Sequence, residues 1–440
     1  MAKKAKQALL NKKEQKLQRY LIAFPVIAFV IKLITMSNIQ GGGWLGADGE
    51  NYFKGVDGLY AEGFFSKATI LNYWPAGYPI LIWLLVLISV PKFVYLISFI
   101  QSIFFAYSTY FLTKNISRSS LAWLAFPLSL FISFNPTLSL STLAVGYEAP
   151  VAACFMMSLG IIVSSKLKPK KNVKLVSLYV GLWITLASFM QPRYLLIGFA
   201  ILVIWVLTIS PKRLGAIVIL ISLSASLISP LIMITRNAVA IGKPIISTNF
   251  AVAVNYGAGE NATGGYKRVG DFVPCSPTPP ATEVTDNQTI ACVLKWYLKN
   301  PLKTVKLTFK KSEFFWSPWS GPLANGTMAR NPWLKISPVQ DLLQNPSSSG
   351  LVVGIFGKII SWFWIIGQIL FLILGFNNLR NGETVSRLIA NISMASVAAS
   401  WLIAIGTLGD HRFRIPTMGL SLLLQVAGMW SLKRKIVKAL

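Results

Sequence analysis

The segment VAACFMMSLGIIVSSKLKPKKNVKLVSLYVGLWITLASFM (151–190) contains two apolar stretches joined by a short, strongly basic loop. The stretches 148–165 and 175–190 are typical of membrane-spanning helices, although both are shorter than the roughly 20 residues that a perpendicular span needs. The loop KLKPKKNVK (166–174) marks the cytoplasmic side, because lysine and arginine concentrate in the cytoplasmic loops of membrane proteins. This segment therefore predicts a helical hairpin that crosses a membrane twice.

The composition of the whole chain agrees with this interpretation. Of its 440 residues, 54% are hydrophobic and only 13% are charged, which predicts a polytopic membrane protein. A net charge of +28 would indicate nucleic-acid binding in a soluble protein. Here most of the basic residues lie in short loops between apolar segments, so we expect a lipid bilayer as partner and no nucleic acid.

Ten apolar segments predict an all-α polytopic fold of about ten transmembrane helices with both termini in the cytoplasm. The segment 77–113 is long enough for two short spans, broken at Pro91. We expect one crossing, with 77–90 as an interfacial or half-inserted helix, because this keeps Lys114 and Arg118 inside. The segments are approximately 21–37, 77–113, 120–140, 148–165, 175–190, 194–210, 214–234, 351–376, 388–407 and 415–431.

The arrangement of spans divides the chain into four regions. We expect a basic cytoplasmic tail (1–20), an N-terminal transmembrane catalytic module (21–235) with a first exoplasmic loop (38–76), an exoplasmic lid region (236–350) and C-terminal transmembrane helices (351–440). The segment 21–37 fits an uncleaved signal anchor. Of the 14 acidic residues, all except Glu14 and Glu383 fall outside, so any chemistry is expected on the exoplasmic face.

The lid region carries a basic amphipathic stretch, CVLKWYLKNPLKTVKLTFKKSEFFW (292–316). Its lysines, among them Lys303, Lys306, Lys310 and Lys311, fit either an interfacial helix on anionic head groups or a solvated basic face. The Gly/Asn-rich stretch 255–266 is a candidate mobile lid. In the same region, Cys275 and Cys292 are expected to form a disulfide if the compartment is oxidising.

Three blocks in chain order carry a family resemblance. They are ADGENYFKGVDGLYAEGFF…NYWPAGYPILIWLL (47–85), TRNAVAIGKPIISTNFAVAVNYGAGENATGGY (235–266) and GDHRFRIPTMGLSLLL (409–424). Together they resemble the GT-C superfamily of integral-membrane glycosyltransferases, nearest to its protein O-mannosyltransferase and lipid A aminoarabinose transferase branch. The resemblance implies sugar transfer from a polyprenyl-phosphate donor to an exoplasmic acceptor. It also implies a bacterial inner membrane with a periplasmic active site, or the ER membrane in a eukaryote.

The resemblance also implies roles for individual residues. Asp48 matches the catalytic acid and would be the general base of an inverting transfer, with a turn or helix cap as the alternative. Glu148 matches a second catalytic acid, or it serves the dipole of its helix. The family often has a second acid directly after the first, where this chain has Gly49. The expected donor-phosphate ligands are Arg193, Arg236, Arg412 and Arg414, and the expected substrate contacts are Glu50, Tyr52, Tyr73, Trp74 and Tyr78.

Metal dependence and the rival functions are the remaining alternatives. His411 is the only histidine, and no cluster at metal-ligand spacing accompanies it, so we expect no required metal, although a divalent ion stays open. A multi-pass transporter or lipid flippase is the main alternative function, and a membrane scaffold the third. Transporters place ionisable groups at mid-membrane, whereas the acids of this chain cluster at one face.

Overall fold

The computed structural model describes residues 19–36, 48–167, 172–265, 286–316 and 355–439. Within these ranges the regular secondary structure is helical and no strand is present, which confirms the all-α prediction. The helices are α1 (Arg19–Met36), α2 (Gly49–Glu62), α3 (Ile70–Tyr73), α4 (Gly77–Ile88), α5 (Phe93–Ser117), α6 (Ala122–Phe134), α7 (Pro136–Leu140), α8 (Glu148–Leu167), α9 (Val173–Met190), α10 (Leu195–Val206), α11 (Lys212–Ser226), α12 (Ile228–Ile241), α13 (Asn249–Tyr256), α14 (Asp286–Lys299), α15 (Pro301–Trp316), α16 (Ile355–Arg380), α17 (Thr384–Gly406) and α18 (Ile415–Ala439).

The apolar helices make the protein an integral multi-pass membrane protein. In the described ranges, eight helices are long and apolar enough to cross a membrane, or up to nine if the bent pair Ala122–Phe134 and Thr137–Leu143 is one span. The segments Gly77–Ile88 and Pro192–Val206 are shorter apolar helices. Eight of the ten predicted apolar segments therefore contain a helix, or a continuous helical stretch, that is long enough to cross a membrane. The segment 120–140 contains the bent pair, and 194–210 contains only a shorter helix.

The structure divides the segment 77–113 at the predicted break. Helix α4 ends at Ile88, a 3₁₀ turn covers Val90–Lys92, and α5 continues to Ser117. Only the second part is long enough to cross a membrane, in agreement with a single crossing. Helix α12 contains the predicted boundary at 235, which stays a prediction, and continues to Ile241. It ends where Gly242 takes the left-handed conformation (φ 71°), which glycine adopts without steric cost.

The break between α6 and α8 is braced by polar side chains of α5. Ser98 Oγ donates to the carbonyl of Leu143 at 2.8 Å, and Gln101 Nε2 donates to the carbonyl of Ala144 at 3.1 Å. Backbone groups that leave a helix near the membrane need such partners, because lipid offers none. The bracing fixes the non-helical backbone directly before Glu148, the first residue of α8.

Helices α16 and α18 are in close backbone contact. A Cβ atom on Gly375 would lie 1.8 Å from the carbonyl oxygen of Leu424, and one on Gly428 would lie 2.1 Å from that of Phe371. Only glycine permits this approach, which is the small-residue packing typical of membrane helices. The contact fixes α18, and the 3₁₀ turn His411–Arg414 precedes that helix directly.

The basic stretch 292–316 forms two helices rather than one. Helix α14 ends at Lys299, and α15 begins at Pro301. Proline lacks the amide hydrogen that a continuing helix requires, but it is well suited to the first position of a new helix.

Candidate active site

Three carboxylates surround one buried guanidinium at an end of the helix bundle. Arg412 Nη2 donates to Asp48 Oδ2 at 2.9 Å. Its Nε atom lies 3.7 Å from Glu148 Oε1 and 3.9 Å from Asp410 Oδ2. All four side chains are at least four-fifths buried. The positive charge of Arg412 is therefore shared among three acids in a region from which water is largely excluded.

Each of the three acids lies at the beginning of a helix. Asp48 directly precedes α2 and makes no capping bond with its side chain, which leaves the carboxylate to Arg412. Glu148 is the first residue of α8. Asp410 caps the turn that follows it, because its Oδ1 atom accepts a hydrogen bond from the backbone amide of Arg412 at 2.9 Å. Two of the three acids, Asp48 and Glu148, therefore lie at the positive end of an α-helix dipole.

Arg193 is a second cation next to this cluster. Its guanidinium lies 3.9 Å from the ring centre of Phe413, the residue after Arg412 in the chain. Its Nη2 donates to the hydroxyl of Tyr147. Its Nε is buried and has no hydrogen-bond partner among the residues that the structure describes. A buried guanidinium with an unused donor is able to bind an anionic ligand.

Tyrosine rings form one wall of the site. The ring centres of Tyr52 and Tyr78 are 5.0 Å apart, and each lies 6.3 Å from the ring centre of Tyr147. Trp74 extends the wall, 6.3 Å from Tyr52. Burial raises the pKa of Tyr147 to about 12, against the opposing effect of Arg193, and burial also raises the pKa of Tyr52. Both hydroxyls therefore remain protonated near neutral pH and can act as hydrogen-bond donors.

Arg236 does not join the cluster. It is fully buried and donates to the carbonyls of Phe64, Ser66 and Leu71 and to the side-chain oxygens of Asn72 and Asn237. The N–H groups of Arg236 that could bind a phosphate are therefore already hydrogen-bonded to neutral oxygens. The geometry favours a structural role, in which Arg236 fastens the first exoplasmic loop to α12, and the predicted phosphate contact stays untested.

Arg414 and Tyr73 line cavities, and Arg414 also interacts electrostatically with Asp410, one of the three acids. A cavity of about 50 Å³ lies beside Arg414, with Asn135, Gln368 and Gln425 in its walls, and the guanidinium lies 5.9 Å from the ring centre of Trp316. A more open cavity of about 470 Å³ is lined by Tyr73 together with Thr69, Asn72, Ile241, Lys243, Ile245 and Thr248. Glu50 is exposed in the first turn of α2. The structure thus brings Asp48, Glu148, Arg193, Arg412, Tyr52, Trp74 and Tyr78 together, with Arg414 next to Asp410, whereas Glu50, Tyr73 and Arg236 lie outside this group.

Sequence reasoning missed two further groups at the site, Tyr147 and Asp410. Tyr147 is the neighbour of Glu148 in the motif GYEAP, and Asp410 begins the motif DHRFR. Each lies within two positions of a residue that the sequence does predict, Glu148 or Arg412, and this proximity in the chain is the signal that could have identified them. Spacing alone does not show that both side chains turn toward Arg412.

The donor set at the cluster does not fit a metal ion. His411 Nδ1 lies 3.6 Å from Asp410 Oδ1, but the guanidinium of Arg412 holds the position among the carboxylates. In the described ranges, no group of three His, Cys, Asp or Glu side chains is placed to hold a metal. The expectation of no required metal stays a prediction. The expected partner of Cys292, Cys275, lies outside the described residues, so the disulfide also stays a prediction.

Part of the lid packs against the turn that leads to the site. The amide of Gly409 donates to the carbonyl of Gly264 at 2.7 Å. Lys311 of α15 is buried and donates to Tyr297 Oη at 3.0 Å and to the carbonyl of Ile405 at 2.9 Å. Burial lowers the pKa of Lys311 to about 7. The lysine that the sequence groups with exposed neighbours therefore points inward, and the proposed mobility of 255–266 stays a prediction.

Comparison with known proteins gave a similarity in structure but none in sequence. No protein-family model and no curated protein sequence matches the chain. Among solved structures, the chain is similar to the oligosaccharyltransferase AglB from Archaeoglobus fulgidus, solved in complex with an inhibitory peptide and a dolichol-phosphate, with 12% sequence identity and a TM-score of 0.49. The match covers 96% of this chain and 52% of that one, so the chain spans about half the length of that protein.

Proposed function

We propose that the protein is a GT-C-type membrane glycosyltransferase that moves a sugar from a polyprenyl phosphate to a hydroxyl acceptor on the exoplasmic side. The observation that carries the proposal is the ion pair between Asp48 and Arg412, with the guanidinium of Arg193 nearby, 3.9 Å from the ring centre of Phe413. An inverting transfer from a lipid phosphate needs one carboxylate base and cations for the leaving phosphate. Both kinds of group meet here, at the ends of helices where head groups lie.

The two arginines are the candidate ligands of the donor phosphate. Arg193 offers its unused Nε donor. Arg412 is bound to Asp48, and a phosphate anion can compete for this guanidinium because arginine pairs equally well with carboxylate and phosphate oxygens. Arrival of the donor would thus transfer Arg412 from Asp48 to the phosphate, and it would release Asp48 for catalysis only when the donor is present.

The released Asp48 would then act as general base. An acceptor hydroxyl oxygen forms a bond to the anomeric carbon while the bond from that carbon to the phosphate oxygen breaks. The proton of the hydroxyl passes to Asp48, and the electron pair of the broken bond leaves on the phosphate. A single displacement of this kind inverts the anomeric centre. The phosphate gains negative charge as the bond breaks, and the arginines stabilise that charge.

Glu148 and Asp410 keep Arg412 in place during this exchange. They lie on its Nε side, at 3.7 and 3.9 Å, whereas Asp48 binds Nη2. Loss of the Asp48 contact therefore leaves the guanidinium with two counter-charges. The tyrosine wall next to Asp48 offers aromatic faces and hydroxyl donors, which are suitable contacts for a sugar ring.

The test is sugar transfer from radiolabelled polyprenyl-phosphate sugars in membranes that contain the full-length protein. We expect transfer by the wild type and a loss of about 10²–10⁴-fold in Asp48→Asn, because the amide is not a base. The matched control is Asp57→Asn, an exposed carboxylate on helix α2 with no predicted role, which should keep most of the activity. Full transfer by Asp48→Asn would exclude Asp48 as the base. Absence of transfer from every donor lipid would contradict the proposed reaction.

One observation bears on the transporter alternative. Lys32 of α1 is buried within a candidate span, and its Nζ donates to Thr142 Oγ1 at 3.2 Å. Ionisable groups at such positions often mark a transport path. Its contacts with Thr142 and with the ring of Phe105, 4.9 Å away, favour a bracing role instead. We expect Lys32→Met to retain transfer at matched expression. A variant that exports a lipid-linked sugar more slowly, with unchanged transfer chemistry, would favour the flippase.

A further inference from the structure

The helix pair α14–α15 exposes a regular pattern of apolar and basic side chains. In the segment VLKWYLKNPLKTVKLTFK (293–310), each of five exposed apolar residues is followed directly by a lysine. Within each helix these positions recur at intervals of three or four residues and so share one face. We call this surface the leucine–lysine face. Its apolar members are Leu294, Leu298, Leu302, Val305 and Phe309, each between 55% and 85% exposed, and its basic members are Lys295, Lys299, Lys303, Lys306 and Lys310.

The opposite face of the same helices is already in contact with the protein. Val293, Trp296, Leu307 and Phe315 are buried, and Lys311 reaches the carbonyl of Ile405 on α17. The helix pair therefore has one face docked on the bundle and one apolar face that the described part of the chain leaves exposed. Five large apolar side chains on one surface are unfavourable in water and mark an interaction site.

We propose that the leucine–lysine face lies on the surface of the bilayer that the apolar helices cross, with its apolar side chains in the acyl boundary and its lysines on anionic lipid phosphates. The pattern matches the requirements of an interfacial helix, which needs an apolar stripe and a basic stripe beside it. Lysine is well suited to this task, because its long stem extends the ammonium away from the apolar surface.

The charge of the face selects lipid over a second copy of the chain. Two such faces in contact would bring their lysines together, and like charges at an interface are repulsive. Of these lysines, Lys303 alone forms an ion pair with another residue in the described part of the chain, namely Glu260. Lys295, Lys299, Lys306 and Lys310 are exposed and point to a partner that supplies negative charge.

The experiment measures which molecules lie next to Leu302. A photoreactive p-benzoylphenylalanine replaces Leu302 in the full-length protein, and in a matched control it replaces Tyr60, an exposed aromatic on α2. Both proteins are placed in nanodiscs of phosphatidylcholine with or without phosphatidylglycerol, illuminated, and analysed by mass spectrometry. A further variant combines the Leu302 replacement with Lys299→Gln and Lys306→Gln.

We expect lipid adducts at position 302 well above those at position 60, with phosphatidylglycerol enriched over its share of the bilayer. Each lysine removed should lower that enrichment by up to about fivefold, which corresponds to ~1 kcal/mol per lysine near an anionic surface. Equal adduct at both positions would overturn the proposal. If the adduct yield at position 302 changed neither with the phosphatidylglycerol content nor with the lysine substitutions, the proposed binding of the lysines to anionic lipids would be wrong. A crosslink between two protein chains at position 302 would assign the face to a second copy instead.

Discussion

Arg412 and Arg236 are two buried arginines with opposite surroundings. Arg412 is bound by three carboxylates, whereas Arg236 is bound by backbone carbonyls and asparagine oxygens. Both satisfy the rule that a buried charge needs partners. The charges of the partners differ, however, and this difference separates a group that can exchange its ligands from one that is fixed.

The comparison shows what a phosphate would encounter at each site. At Arg412 an incoming anion replaces one negative ligand with another, so the exchange costs little electrostatic energy. At Arg236 it would have to displace neutral oxygens, and each buried carbonyl that is left unsatisfied costs about 1–3 kcal/mol. We therefore propose that Arg412 takes part in the transfer reaction and that Arg236 has a structural role.

The largest effect is expected at Arg412. Arg412→Gln leaves three neighbouring acids without their cation, and breaking a buried ion pair costs about 3–5 kcal/mol. Transfer should fall by at least about 10²–10³-fold per folded molecule, because the stabiliser of the leaving phosphate is lost. The measurement is radiolabelled sugar transfer, normalised to folded protein by size-exclusion chromatography.

Arg412→Lys serves as the matched variant. It keeps the charge but loses the planar fork that can contact Asp48 and Glu148 together. It should restore the fold more fully than it restores transfer. Transfer close to wild type in the lysine variant would show that charge alone is needed, and it would weaken the proposed exchange between carboxylate and phosphate.

A smaller loss of transfer is expected for Arg193→Gln. The change removes one cation beside the phosphate position but leaves the Asp48–Arg412 pair intact, so we expect about a 10²-fold decrease. The loss should appear mainly in kcat/KM for the donor lipid, with little change in acceptor dependence. Tyr147→Phe removes only the hydroxyl that Arg193 contacts and is the control for positioning. If Arg193→Gln changed only the dependence of transfer on the acceptor concentration, Arg193 would be assigned to acceptor binding instead of donor binding.

Arg236→Met should reduce stability and spare the chemistry. It removes the contacts to the first exoplasmic loop and leaves several buried oxygens without donors, so we expect a loss of several kcal/mol, of the order of 1–3 per unsatisfied group. The fraction that remains folded should retain transfer within about tenfold of wild type, since no reacting group is removed. Apparent Tm and transfer per folded molecule check this. A stable Arg236→Met protein that lacks transfer would show that Arg236, like Arg412, is needed for the reaction rather than for stability.

The sequence predicts the apolar helices well, because they depend on a local property, the length of the apolar segments. The lysine-rich loops are equally visible, and from them we expect Asp48, Glu148 and Arg412 on one face of the membrane. The contact between Asp48 and Arg412 is different in kind, since it joins residues separated by 364 positions. A motif gives the types of these residues, but only the packed helices determine which of them meet.

Residue type alone does not distinguish Arg236 and Lys311 from the other cations of the chain. The hydrogen-bond partners of their donors do distinguish them, and those partners are visible only in the structure. For Lys311 a signal was present, because Leu307 and Phe315 stand four residues before and after it and define an apolar helical face. For Arg236 no local signal exists, since its loop partners come from residues 64–72.

Lys311 extends the comparison to a cation that can lose its charge. Its partners, Tyr297 Oη and the carbonyl of Ile405, are neutral like those of Arg236, but a buried lysine can deprotonate whereas arginine cannot. Its pKa is lowered from the usual 10.5 to about 7 in the folded protein. Between pH 7 and 10.5 the unfolded chain binds more protons at this lysine than the folded protein does, so the free energy of unfolding should rise with pH in this interval. Below pH 7 the burial of the charged lysine lowers the free energy of unfolding by a constant amount.

The smallest expected effect is therefore a pH-dependent shift rather than a loss. Lys311→Met should remove the rise in stability that this lysine contributes above pH 7, so that the variant gains most relative to wild type at low pH and least at high pH. We expect a difference of about 2–4 °C in apparent Tm across the range, measured by thermal unfolding in detergent. Lys310→Met, an exposed neighbour, is the control. Parallel pH profiles for wild type and Lys311→Met would mean that Lys311 is charged in the folded protein, and that neutral oxygens alone suffice to hold a buried cation at this end of the bundle.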